Sequence, residues 1–146
     1  MNHERLPAEF RERTKIYSAG IIRLYANMPK VRKEARVLGK KLLRSGTDLA
    51  ARVRKASRAR SDEEFESRLT GALQDTDENQ MWLELLREEC GTAPADTLPL
   101  EKEAGELMTI MTSMLKRARE KQKMEMKRRE GEIKKLKTGN PENLKS

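Results

Sequence analysis

Residues 37–56 read VLGKKLLRSGTDLAARVRKA, and the apolar residues of this stretch decide the fold. They continue a stripe that begins at Val31 and recurs every three or four residues, which is typical of an α-helix with one buried face. The stripe keeps its phase across Gly46, so we predict one long helix in which close packing is the reason for the glycine. The stripe consists of Val31, Ala35, Leu38, Leu42, Ser45, Leu49, Val53 and Ala56.

Stripes of the same periodicity lie before and after this stretch. Pro29 ends the helix before it or begins the next one, because proline lacks the amide donor and disfavours a helical conformation in the preceding residue. The members of the stripe before the stretch are Phe10, Thr14, Tyr17, Ile21, Leu24 and Met28. The one after it opens with the capping box Ser61-Asp62-Glu63-Glu64 and ends at Gly91, a typical C-terminal cap. Its members are Phe65, Leu69, Ala72, Thr76, Leu83 and Leu86.

A fourth stripe follows residues 91–99, which we predict to be a loop. Asp96 or Thr97 can cap the fourth helix, with Pro99 near its first position. The stripe consists of Leu100, Ala104, Leu107, Met111, Met114 and Ala118. Four helices with short connections predict an all-α fold, an antiparallel up-and-down four-helix bundle over 1–118. Residues 119–146 are predicted to be a basic C-terminal extension, partly helical or disordered, in which residues 139–141 (Gly-Asn-Pro) close any helix.

The charges of the chain are sorted into blocks. Residues 11–60 carry 16 Lys and Arg against 3 Asp and Glu, and residues 61–115 carry 3 against 14. Residues 116–137 return to 11 against 4. The basic second helix can lie beside the acidic third, which leaves other basic surface to meet an anionic partner.

The second helix carries the clearest candidate surface for such a partner. We call it the basic ridge, and it consists of Lys33, Arg36, Lys40, Arg44, Arg54 and Arg58. Such a row can follow a phosphate backbone, although an ordinary solvated helix face is the alternative. The predicted nucleic-acid-binding residues are the ridge with Arg52 and Lys55, and over 116–129 they are Lys116, Arg117, Arg119, Lys121, Lys123, Lys127, Arg128 and Arg129. No aromatic residue interleaves with the ridge, so base stacking is not indicated.

Several apolar residues lie off the predicted core stripes. They are Met81, Trp82, Leu85, Ile16 and Ile22. Tryptophan is favoured at the centres of interfaces, so we predict an oligomer or partner interface here, with a wider core as the alternative.

The sequence gives no sign of an enzyme. The acidic residues come without a glycine-rich phosphate loop, a metal-ligand set or a nucleophile motif. With a single cysteine, Cys90, and a single histidine, His3, neither an internal disulfide nor a Cys/His metal cluster is expected. We therefore predict no cofactor and no metal. No apolar window is long enough for a membrane span and no signal-peptide pattern opens the chain, so we expect a cytoplasmic protein with no membrane partner.

Three pieces of the sequence resemble a known family. They are residues 37–56, the run SDEEF over 61–65 with Ala72-Leu73, and NQMWLELL over 79–86. The family is that of small bacterial four-helix-bundle proteins first found encoded in intervening sequences of 23S ribosomal RNA genes. One branch of it supplies the accessory protein of diversity-generating retroelements.

The resemblance implies an up-and-down bundle that assembles into a homopentamer without enzymatic activity. For the retroelement branch it also implies a basic surface that contacts nucleic acid and a reverse transcriptase. Where members of the family carry Gly-Ala-Asn followed by a glutamate, this chain has Ala50, Ala51, Arg52 and Lys55. We therefore expect a homo-oligomer that binds RNA or an RNA/DNA hybrid. The alternative is a protein-interaction module whose basic surfaces pair with acidic protein surfaces.

Overall fold

The computed structural model describes residues 4–138, and within them the chain forms four helices. They are α1 (Ala8–Asn27), α2 (Lys33–Ser57), α3 (Asp62–Glu89) and α4 (Pro94–Lys137). The chain divides into two compact units, Met1–Leu115 and Lys116–Ser146. The first unit contains α1, α2, α3 and the first part of α4, and it is the predicted all-α four-helix bundle.

Neighbouring helices of the first unit run antiparallel. The backbone N–H of Arg5, just before α1, donates to the carbonyl of Ser57 at the end of α2. Tyr25, near the end of α1, lies against Gly39 near the start of α2. The connections α1–α2, α2–α3 and α3–α4 are all short. Each helix therefore packs against the one that precedes it in sequence.

The core is built from the predicted stripes. Their fully buried members include Ile21, Leu42, Leu49, Leu69, Leu83, Leu86 and Leu107. Two predictions for the second stripe were wrong, because Val31 is 89% exposed and Leu38 is only half-buried. Val31 lies in the connection before Lys33, the first residue of α2, so it has no helical position to share with the stripe.

α2 is a single helix through Gly46, as predicted, and packing explains the glycine. A Cβ at this position would lie 2.8 Å from Cγ2 of Ile21 and 3.0 Å from Nδ2 of Asn79. The close approach also allows the Ser18 hydroxyl to donate to the Gly46 carbonyl at 2.6 Å. α1 and α2 therefore meet with their backbones close together.

A buried polar cluster joins α1, α2 and α3. Asn79, fully buried on α3, accepts a hydrogen bond from the Tyr17 hydroxyl at 2.6 Å. Its amide nitrogen donates to the carbonyl of Leu42 at 2.7 Å and to the hydroxyl of Ser45 at 2.8 Å. Burial raises the pKa of the Tyr17 hydroxyl, which keeps it a neutral donor. Buried polar groups are costly unless they are paired in this way.

Two arginine residues attach α4 to the other helices of the first unit. Arg13 on α1 makes two hydrogen bonds to Glu103, at 2.8 and 2.7 Å. Arg87 on α3 makes two to Glu101, both at 2.9 Å. Hydrogen bonds from these guanidinium groups lower the pKa of both carboxyl groups. Such two-pronged pairs fix geometry as well as charge.

The predicted ends of α3 are confirmed. The Ser61 hydroxyl accepts from the backbone N–H of Glu64 at 3.1 Å, and Gly91 has a φ of 73°.

The predicted start of α4 was wrong, because the helix begins at Pro94 and includes Pro99. Pro94 supplies the fixed φ that suits a first helical residue. The N–H groups of Asp96 and Thr97 both donate to the carbonyl of Ala93, so the first turn closes before Pro99. Pro99 cannot donate to the carbonyl of Ala95, and water can satisfy that carbonyl because both residues are exposed.

In the second unit, residues 116–137 belong to α4 and are almost all exposed. The predicted boundary at residue 118 stays a prediction. The predicted helix-closing residues 139–141 and His3 lie outside the described residues.

Candidate nucleic-acid interface

The basic ridge lies on the outer face of α2. Its five members on α2 fall within a narrow arc of the helix at 100° per residue. Arg58 lies at the C-cap just after Ser57, and all six residues are exposed. The predicted stripe on the opposite side of α2 is buried from Ala35 to Ala56 apart from Leu38. Amphipathic periodicity thus positions the ridge, because burying the stripe turns the cations outward.

Half of the ridge already makes contacts within the chain. The Arg36 guanidinium donates to the carbonyls of Lys30 and Val31, both at 2.9 Å. Arg44 lies 3.9 Å from Asp48, and Arg58 lies 3.4 Å from Glu4. Exposed pairs at such distances contribute little free energy and can be exchanged for another anion. Within residues 4–138, Lys33, Lys40 and Arg54 have no carboxylate partner.

Arg52 is placed differently from the other predicted contacts. Its Nε lies 2.7 Å from Oδ2 of Asp75 on α3. Its guanidinium crosses Gly71, where a Cβ would come within 2.7 Å of Nη1. Burial raises the pKa of the Asp75 carboxyl, and the charge of Arg52 opposes that rise. Arg52 therefore joins α2 to α3 and presents less free charge than the ridge does. Lys55 is exposed and lies beside the ridge.

The eight predicted cations of the second unit are exposed without exception. At 100° per residue they point in all directions around α4. Exposed apolar side chains are interspersed with them, namely Met124, Met126, Ile133 and Leu136. The segment is therefore a basic helix without a single charged face.

A groove at one end of the first unit collects further cations that the sequence analysis missed. It has a volume of about 870 Å³ and brings together side chains from α1, α2, α3 and the α2–α3 connection. We call it the basic groove, and its charged lining consists of Arg11, Lys15, Arg54, Lys55, Arg58, Arg60 and Arg68 with Glu12 and Glu64. Seven cations thus face two carboxylates.

Four of these cations were not predicted. Arg11, Lys15 and Arg60 lie in the basic block over 11–60 but outside the predicted ridge, and Arg68 lies in the acidic block, so charge counting along the chain does not group them. The short α2–α3 connection and the antiparallel order of α1 and α2 are the signals that could have grouped them. Both place the start of α1, the end of α2 and the start of α3 at the same end of the bundle.

The predicted apolar interface residues are exposed to different degrees. Ile16, Ile22 and Met81 are exposed, whereas Trp82 and Leu85 are half-buried. The Trp82 indole donates to Glu78 at 3.2 Å, and Nζ of Lys41 lies 5.6 Å from the centre of its ring. Trp82 therefore already has partners within the chain, and the two isoleucines lie on α1 while the other three residues lie on α3.

Within residues 4–138, no cluster of three or more His, Cys, Asp and Glu has the arrangement of a metal site. None of the helices there combines the length and apolar character that crossing a membrane requires. Cys90 is half-buried at the end of α3.

Comparison with known proteins finds similarity among solved structures. No family model matches the chain, and no curated protein matches it. Among solved structures, the chain is similar to a protein of unknown function from the S23 ribosomal protein family of Bacteroides thetaiotaomicron. The two are 26% identical and superpose with a TM-score of 0.67, over 73% of this chain and 95% of the other. The similarity supports the four-helix bundle and is consistent with the family resemblance.

Proposed function

We propose that this protein is a non-enzymatic, homo-oligomeric module that binds RNA or an RNA/DNA hybrid. The observation that carries the proposal is the basic ridge, six exposed cations on one face of a helix. Lysine and arginine side chains on such a face can neutralise successive phosphates and release their counterions. The basic residues of 116–137 would add contacts of the same kind.

Recognition by base stacking has little support among the described residues. Phe10, Tyr17 and Phe65 are buried in the bundle. The two half-buried aromatic rings, Tyr25 and Trp82, lie under Lys30 and Lys41. Since no aromatic platform adjoins the ridge, the proposed binding is mainly electrostatic and tolerant of sequence.

The family resemblance extends the proposal to partners. By analogy with the retroelement branch, the protein would be a pentameric accessory scaffold for a reverse transcriptase. The similarity to a member of the S23 ribosomal protein family supports the bundle on which that analogy rests. A reverse transcriptase gene with a template and variable repeat pair beside the gene would favour this branch. Insertion within a ribosomal RNA gene would favour the other.

The proposal is tested by titrating the full chain against labelled RNA at several salt concentrations. Each phosphate contact adds about 0.7 to the slope of log affinity against log salt for a single strand, so we expect a steep decline. The triple variant Lys33→Glu, Lys40→Glu and Arg54→Glu should bind RNA much more weakly and with a shallower slope. An affinity that stays flat with salt, or is unchanged in the triple variant, would refute the proposal.

Arg52→Gln is the matched control for the single variant Arg54→Gln. Each variant removes one positive charge from α2, and the two positions are only two residues apart. The Arg52 guanidinium, however, is paired with Asp75. We therefore expect Arg54→Gln to lower RNA affinity more than Arg52→Gln does.

The alternative is a protein-interaction module whose cations pair with acidic protein surfaces. The contacts of Arg44, Arg52 and Arg58 with carboxylates of the same chain favour it. Under this alternative, the triple variant should dissociate the oligomer before it changes any nucleic-acid binding. Sedimentation of the variant without RNA distinguishes the two.

A further inference from the structure

We infer that the basic groove is a discrete site for a chain of phosphate groups, and that it shares only Arg54 and Arg58 with the basic ridge. The inference deepens the proposed function and rests on it where the phosphates belong to a nucleic acid. A free polyphosphate carries the same chemistry, and the test below separates the two sources.

The balance of charge within the groove is the first argument. Seven cations and two carboxylates line it. Oε2 of Glu64 accepts a hydrogen bond from the backbone N–H of Arg60 at 3.4 Å, which leaves the charge of this carboxylate in place. Outside the lining, the Glu4 carboxylate lies 3.4 Å from Arg58 and also interacts with the charge of Arg11. The groove therefore holds an excess of positive charge that its own carboxylates leave uncompensated.

The side chain of Arg11 is the second argument. Its Nε is buried and has no hydrogen-bond partner among the described residues. A buried donor without an acceptor is costly. A phosphate oxygen in the groove would provide that acceptor with a charge-assisted hydrogen bond.

The shape of the groove is the third argument. Its lining includes Ala8, Ala50 and Ala51, whose short side chains leave room between the long cationic ones. A volume of about 870 Å³ lies within the usual range for ligand sites and exceeds what one phosphate needs. Cations from three helices can thus surround several linked phosphates, whereas the ridge presents a single convex row.

Calorimetric titration of tripolyphosphate into the full chain tests the inference. The groove variant is Arg54→Gln with Lys55→Gln, and the matched control is Lys33→Gln with Lys40→Gln. Both remove two exposed charges from α2, and only the first pair lines the groove. We expect the groove variant to lose at least about tenfold in affinity and the control to lose less than about threefold. Far-UV circular dichroism verifies that both variants are folded.

Two results would overturn the inference. One is equal loss in the two variants, which would mean that the whole basic surface attracts the anion. The other is a wild-type protein that binds tripolyphosphate no better than it binds sulfate. Arg11→Gln provides a second measurement, since it should weaken tripolyphosphate binding without altering the ridge.

RNA titrations of the same proteins separate this inference from the proposed function. If tripolyphosphate competes with RNA and the groove variant weakens both, the phosphates belong to the nucleic acid. If tripolyphosphate binds in the groove but RNA does not bind at all, the proposed function fails and the groove is a site for free polyphosphate. If RNA binds with a steep salt dependence but the groove variant and the control have the same affinity for tripolyphosphate, the proposed function stands and the groove inference fails.

Discussion

Asn79 shows what the sequence conceals at the level of single residues. Its spacing of three from Thr76 and four from Leu83 places it on the buried stripe of α3. Asparagine is nevertheless mostly found at the surface, and the predicted stripe of α3 passes from Thr76 to Leu83 without it. The partners that make its burial tolerable, Tyr17 and Ser45, lie 62 and 34 residues away in sequence. Periodicity gives the face of each helix but not which polar residues will meet.

Asn79→Ala should therefore be strongly destabilising. The substitution leaves the Tyr17 hydroxyl and the Leu42 carbonyl without their buried partner, so we expect a loss of about 2–4 kcal/mol in the free energy of unfolding. Urea denaturation followed by circular dichroism measures it. Gln74→Ala, on an exposed position of the same helix, is the control and should change stability by less than about 0.5 kcal/mol. Similar values for the two variants would contradict the role given to Asn79.

Signals at helix ends were reliable where they were unambiguous. The capping box at Ser61 and the glycine at 91 located the ends of α3, because each supplies a bond or a φ that helix interiors do not accept. The start of α4 was misplaced because two prolines, Pro94 and Pro99, can both occupy a first turn. Sequence alone does not say which of them has its preceding carbonyl groups exposed to water.

Pro99→Ala distinguishes the two possible starts of α4. In a helix that begins at Pro94, the alanine restores the N–H that can donate to the carbonyl of Ala95, and we expect stability to rise by about 1 kcal/mol. In a helix that begins at Pro99, the change would remove a favourable first residue and lower stability. Thermal unfolding of the variant gives the sign, with Pro94→Ala as the comparison, expected to be neutral or destabilising.

For the whole molecule, the distribution of charge was the most informative property of the sequence. It predicted that α2 would present cations outward, and burial of the opposite stripe leaves that ridge exposed. It did not predict the basic groove, because the cations of the groove come from separate helices. These cations converge because of the way in which α1, α2 and α3 pack side by side. The periodicity of a single helix carries no information about that packing. The pairing of Arg52 with Asp75 was missed for the same reason.

The carboxyl groups that attach α4 should make the bundle sensitive to acid. The pKa values of Glu101 and Glu103 are lowered in the folded state. Their contribution to stability is therefore present above the unfolded pKa of about 4.3 and is lost as the pH falls through the folded values. The pKa of Asp75 is raised, so its contribution has the opposite sign and its protonation favours the folded state.

The predicted pH dependence of stability is checked by measuring the free energy of unfolding across the acid range for the wild type and for Arg87→Gln. Removing the Arg87 guanidinium should return the pKa of Glu101 toward its ordinary value and flatten the acid dependence. Asp75→Asn should instead steepen the acid dependence of stability, because it removes the contribution of Asp75, which has the opposite sign. A wild-type stability that does not change below about pH 4 would contradict the assigned signs.

The hydrogen bonds of Asn79 also constrain how the helices can rotate. A turn of α1 or α2 about its own axis would separate the Tyr17 hydroxyl or the Leu42 carbonyl from the single amide that serves them both. These buried hydrogen bonds therefore restrict the rotation of α1 and α2 about their own axes. A buried asparagine thus helps to hold the outward faces of α1 and α2 in register, and those faces carry Arg11, Lys15, Arg54 and Lys55 of the basic groove.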